Sequence, residues 1–156
     1  MAWQWWLLIH LTGVLAFVGA HGVSMFVLYR IRGERDRQRI AELIAFSGTT
    51  TRPMYIGLLI LTVGGLGAGL TLHLFSQVWL WISIAILLVT IGLMTGFAAP
   101  YFRRITAACE IRPSGVPRVS DEELEQLLRS GDAHVISVIG VVGLLAILYL
   151  MLFKPF

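Results

Sequence analysis

Charge is missing from most of this chain. It holds nine Asp and Glu and twelve Lys and Arg, yet all nine acids and eleven of the bases fall within Arg30–Arg52 and Arg103–Asp132. Three runs carry no formal charge: Met1–Tyr29, Pro53–Phe102 and Ala133–Phe153. Each exceeds the roughly 20 apolar residues that cross hydrocarbon as a helix. At 57% hydrophobic and 13% charged, the 156 residues make one membrane bundle and leave no room for a separate soluble catalytic domain. The single cysteine, Cys109, excludes an internal disulfide and reads as a free structural thiol. The lack of Lys, Asp or Glu inside the runs argues against a proton-coupled transporter, which buries ionisable groups along its path. There is also no internal repeat, low-complexity tract, phosphate-binding loop, Cys-rich metal signature or Ser-His-Asp arrangement.

What is present defines the fold. The middle run of 50 residues would be about 75 Å long as one helix, more than twice the hydrocarbon thickness, so it must be two spans. The break falls at His73-Leu-Phe-Ser-Gln77. The expected class is therefore an all-α polytopic membrane protein, a bundle of four transmembrane helices near 3–29, 53–74, 78–101 and 133–153. The charged loops are 30–52 and 102–132. Basic residues in short loops are retained on the cytoplasmic side, which puts both loops inside and both termini outside. Trp3, Trp5, Trp6, Trp79, Trp81 and Tyr149 gather near the outer boundary, and Tyr29, Tyr55 and Tyr101 near the inner one, as interfacial rings should. The first run is too long for a signal-peptide core and has no basic region before it, so it is expected to stay as the first helix. The formal charge of +3 is then topological; it suits anionic lipid headgroups and does not imply nucleic acid.

The loops have local order of their own. Arg35, Arg37 and Arg39 alternate with Ile40, Leu43 and Ile44 over Glu34–Phe46, a pattern for a helix that continues the first span or lies on the membrane surface. Ser47-Gly-Thr-Thr-Thr51 ends it, with Thr51 capping the second span and Pro53 in its first turn. Ser120-Asp-Glu-Glu123 fits a capping box for a short helix closing near Gly131. The acidic face of that helix reads as a solvated surface. Gly65 with Gly69, and Gly92 with Gly96, form small-xxx-small pairs expected to face other helices.

The chemistry that remains is histidine. His10, His21, His73 and His134 are the ionisable, ligand-type side chains in or at the ends of the spans, and a neutral imidazole binds iron or copper well. His10 and His21 are eleven residues apart, about 20° apart in azimuth and roughly 16 Å in depth, so they share a face with Gly13, Val14, Phe17, Ser24 and Met25. A glycine one turn from a histidine leaves space for a flat macrocycle. His73 has Gly69 and Gly65 along its own face. Depth then sorts the four into an outer layer, His10 and His73, and an inner layer, His21 and His134. In outline this matches membrane b-type cytochromes, with His10 and His21 the leading iron ligands. A five-coordinate haem, or one with a non-histidine second ligand, fits the spacing equally. Arg30, Arg52, Arg103 and Arg104 are available to propionates on the inner side. Met25 and Met94 make a soft copper site conceivable, although methionine in a membrane core is usually packing. The competing role for each imidazole is a hydrogen bond between helices.

The run Trp5-Trp-Leu-Leu-Ile-His10-Leu-Thr-Gly13, with Phe17, Gly19 and Phe26-Val-Leu-Tyr-Arg30, resembles the first helix of a group of small four-helix bacterial membrane proteins. That group comprises an uncharacterised predicted integral membrane family, the copper-resistance-D-like domains and the J-type protoporphyrinogen oxidases. The resemblance implies a bacterial inner-membrane location and, through the oxidases, haem b with His10 as the associated residue. The chain departs from the oxidases in having no buried Lys or acid in its spans. Three functions stay open: a b-type haem protein of electron transfer or quinone-linked chemistry, a non-catalytic subunit or scaffold in contact with other membrane subunits or a second copy, and a copper or small-solute permease.

Overall fold

The computed structural model describes residues 2–155; Met1 and Phe156, which end the first uncharged run and the C-terminal tail, lie outside them. Six α-helices follow one another: α1 Ala2–Arg30, α2 Arg37–Thr49, α3 Thr51–Thr71, α4 Val78–Cys109, α5 Asp121–Arg129 and α6 Asp132–Phe153. Helices α1, α3, α4 and α6 are long and apolar enough to cross a membrane. Their exposed surface is apolar too: Leu15 is 75%, Leu70 66% and Leu152 70% exposed. A water-soluble protein does not present that surface, so these side chains face lipid. The four long helices associate as two pairs, α1 with α3 and α4 with α6, joined mainly at the end that carries the charged loops.

Several boundaries differ from the sequence expectation. The first helix does not run on through the loop. It ends in a 3-10 turn at Ile31–Gly33, and Glu34 turns its carboxylate onto the N–H groups of Arg35 (3.0 Å) and Asp36 (3.4 Å). Those two N–H bonds, led by Arg35, hold the Glu34 carboxyl below its ordinary pKa. Asp36 then caps α2 by accepting from Gln38 N–H at 2.9 Å. At the next junction Thr51 is not the cap. Thr50 holds that place in helical conformation, and its hydroxyl donates back to Ser47 O at 2.7 Å, so α2 bends into α3 without a true break. Helix α3 stops three residues early because His73 adopts the left-handed conformation, φ 55°, a helix-ending geometry that histidine tolerates better than most residues.

Helix α4 continues past the expected end at 101 to Cys109. The cause is packing: Tyr101, Ile105, Ala108 and Cys109 are buried at helical spacing against Val27, Leu28, Ile31 and Ile40. Cys109 is free and buried, as a structural thiol should be. Ser120 accepts from Glu123 N–H at 3.1 Å, and α5 buries Leu124 and Leu128 in the same core while its acidic residues stay exposed. Arg37 locks this end together. Its guanidinium donates to Ala108 O (2.9 Å), Val119 O (2.8 Å) and Asp121 Oδ1 (2.7 Å), tying α2 to the end of α4 and the start of α5.

Glycine sets how closely α1 and α3 approach, but through different glycines from those the sequence pattern picked. A Cβ on Gly57 would lie 2.6 Å from Phe17 N, and one on Gly13 or Gly64 would collide with the backbone of Leu61 or His10. Backbone therefore touches backbone at three levels of this seam, the arrangement that small residues permit in membranes. Gly65 meets the His10 ring and Gly69 the Phe75 ring, so both do serve packing, against side chains. Gly92 and Gly96 do not: they are exposed with nothing within 4 Å. In α6 the residues that admit neighbours are Gly140, against Met94, and Gly143, against Thr90.

Candidate functional site

The two glycine patterns have opposite consequences for the face shared by His10 and His21. Above, the space beside Gly13 is filled by the Leu61 backbone of α3, so it is not open to a macrocycle. His10 lies in this seam, its Nδ1 2.7 Å from Leu61 O with the ring over Gly65. The nitrogen facing a carbonyl must be the protonated one, so His10 donates and joins the two helices. Below, α1 and α3 no longer close on each other, and a cavity of about 430 Å³ opens between the two helix pairs.

Five helices line that cavity: Val18–Leu28 of α1, Ile44–Gly48 of α2, Thr51–Tyr55 of α3, Met94–Phe102 of α4 and Ile136–Leu144 of α6 all contribute side chains. The wall is mostly apolar, with Met25, Met54 and Met94 among it, and its volume lies in the range of small-molecule sites. His21 projects into this space. Its ring stacks on Phe17 with centroids 5.8 Å apart and planes 4° apart, which fixes the imidazole plane. Its Nε2 is 3.5 Å from where a Cβ on Gly140 would lie, so glycine at 140 leaves the room that the imidazole and Met94 share. Among the described residues His21 has no hydrogen-bond partner.

One helical turn toward the charged end lies a hydroxyl chain. Thr50 donates to Ser47 O (2.7 Å), Ser47 donates to Ser24 Oγ (3.0 Å), and Ser24 has only a 3.5 Å approach to Thr50 Oγ1 left for its own proton. Ser24 and Ser47 both line the cavity. Ser137 also lines it but spends its hydroxyl on Ala133 O at 2.8 Å.

The other two histidines lie elsewhere. His73 is exposed in the turn after α3, and His134 is exposed near the start of α6 against Tyr29, ring centroids 5.9 Å apart. Of the four, His21 alone lines the cavity. Among the described residues no three His, Cys, Asp or Glu side chains come together to hold a metal ion. Of the arginines named for propionates, Arg30 pairs with Glu34 at 3.4 Å, whereas Arg52 and Arg103 are exposed and directly follow the wall residues Thr51 and Phe102. Sequence reasoning missed Ser47, Thr50 and Gly140. Ser47 and Thr50 belong to a run that reads as a helix stop, and Gly140 lies midway between Ser137 and Gly143 in α6, a spacing of small residues that signals close approach.

Fold and cavity together define a small multi-pass membrane protein, a four-span helical bundle with a partly open cavity between its two helix pairs. No protein-family model, no curated protein and no solved structure matches the chain.

Proposed function

We propose that this protein binds a flat, lipid-soluble redox group in the cavity through His21, and that it sits in a bacterial inner membrane with the charged end cytoplasmic. The observation that carries this reading is a half-buried imidazole with no protein partner in an otherwise apolar chamber. The contrast with His10, already bonded to Leu61 O, singles out His21.

Haem b fits the donor set in one form. His21 would take the iron, with the thioether of Met94 from α4 as the candidate second donor in the wall, and Arg52 and Arg103 at the charged end for propionates. When bound, the group would supply one-electron transfer. The chain's part is to fix the imidazole plane through Phe17 and to keep water from the site with apolar walls. The test is a hemin titration of protein in nanodiscs, read by the Soret band and the reduced-minus-oxidised spectrum. His21→Ala should lose the band and His10→Ala should keep it; equal spectra from wild type and His21→Ala reject the assignment.

A second reading, a non-catalytic subunit or scaffold, is favoured by Gly92 and Gly96 of α4, an exposed small-residue pair with nothing within 4 Å of where a Cβ would stand. Co-purification of a stoichiometric membrane partner from native membranes, with no bound small molecule, is the result that selects it.

A further inference from the structure

The cavity wall is mostly apolar, and α1 contributes two hydrogen-bond donors to its interior, while Thr51 and Tyr55 of α3 add hydroxyls at its exposed edge. The first is the N–H of a neutral His21 imidazole. The second follows from counting protons along the hydroxyl chain. Thr50 gives its proton to Ser47 O and Ser47 gives its own to Ser24, which leaves the Ser24 O–H with no partner closer than 3.5 Å. His21 and Ser24 are three residues apart on α1, on one face and about 5–6 Å apart at Cβ. Around them the chamber is mostly methionine and aliphatic side chain. Tyr55 of α3 with Thr95 and Ala99 of α4 line it yet are exposed on the outside, so the chamber is open sideways to lipid.

A ligand that matches has two acceptors at opposite ends of a flat ring, no charge, and an apolar tail that can leave toward the bilayer. We infer that the cavity takes the head of a membrane quinone, one carbonyl accepting from His21 and the other from Ser24. This rests on the reading of the cavity as a ligand site and names the ligand's class. Haem uses His21 as a base toward iron and has no use for a donor at Ser24, so the two ligands make different demands on the same wall.

The experiment is calorimetric binding of decylubiquinone to the full chain in nanodiscs, with decylbenzene, which has the tail and ring but no carbonyls, as the control. Loss of one hydrogen bond should weaken binding about 3- to 10-fold in Ser24→Ala and again in His21→Ala. Ser24→Thr should restore it. Thr62→Ala removes a span hydroxyl that lies outside the cavity and bonds Leu58 O, so it should bind like wild type and controls for the loss of a hydroxyl as such. Equal affinity for decylbenzene, or unchanged affinity in both Ser24→Ala and His21→Ala, overturns the inference. Stoichiometric hemin binding lost in His21→Ala, without quinone binding, overturns it and leaves the ligand-site reading standing. Binding of neither probe overturns both.

Discussion

Gly57→Ala should loosen the α1–α3 seam by an amount the structure allows to be worked out. The new Cβ would lie 2.6 Å from Phe17 N, where ordinary contact begins at 3.4 Å, so the helices must part by about 0.8 Å. A main-chain atom cannot rotate away as a side chain would. A gap of 0.5–1 Å forfeits a quarter to a half of each dispersion contact along the seam, and overpacking of this kind costs about 1–3 kcal/mol. The His10–Leu61 bond, now 2.7 Å, would stretch toward 3.5 Å, a further loss of about 0.6 kcal/mol. Alanine's better helix propensity returns at most about 1 kcal/mol. The net expectation is a destabilisation of about 1–3 kcal/mol, measured by steric trapping or detergent-induced unfolding. Gly92→Ala is the matched control, since a Cβ there meets nothing within 4 Å and only the propensity gain applies. If Gly57→Ala is as stable as wild type, or Gly92→Ala loses as much, the close-packed seam is wrongly placed.

His10→Ala should cost about 0.6 kcal/mol and no more than about 1.7, the range for interhelical hydrogen bonds in membranes, while leaving ligand binding in the cavity intact; unfolding titrations beside binding curves check both parts. Arg37→Ala strips the partners from Ala108 O and Val119 O and should destabilise the charged end by about 2–4 kcal/mol, seen as faster proteolysis in the 110–120 loop. Asp121→Asn should do far less, because that carboxylate is 87% exposed and an exposed ion pair contributes little. Cysteine labelling should find Arg35→Cys and Glu122→Cys accessible only from the cytoplasm, and terminal reporters outside it; a terminus found inside reverses the orientation.

The four spans were legible because lipid exposure needs only length and the absence of charge, and both are visible in one dimension. The capping residue Ser120 was legible for a similar reason, since its partner is three residues away. Contacts between distant segments were not. The motif at Gly92 and Gly96 has the same spacing as the one at Gly65 and Gly69, yet one pair faces outward and the other receives rings from His10 and Phe75. Nothing in the spacing distinguishes them; the pairing of α1 with α3 does. The extension of α4 to Cys109 was hidden because Arg103 and Arg104 interrupt the apolar run, although the buried stripe continues on the opposite side of the helix. For the candidate site, the near-common azimuth of His10 and His21 on α1 was readable from periodicity. That His10 is used for packing and His21 is left facing a cavity depends on Gly13, Gly64 and Gly140 meeting partners far away in sequence.

If the space between the helix pairs is a ligand site, the protein should carry its ligand out of the membrane. Native mass spectrometry, with organic extraction of the bound material, should be run on wild type and on Gly140→Leu, both purified from native membranes in mild detergent. A leucine at 140 would fill the room now shared by Met94 Cε, 2.6 Å from the added Cβ, and His21 Nε2 at 3.5 Å. Wild type should carry one flat redox-active molecule per chain, and a folded Gly140→Leu variant none. Wild type free of any such molecule, or both proteins carrying it equally, contradicts the claim.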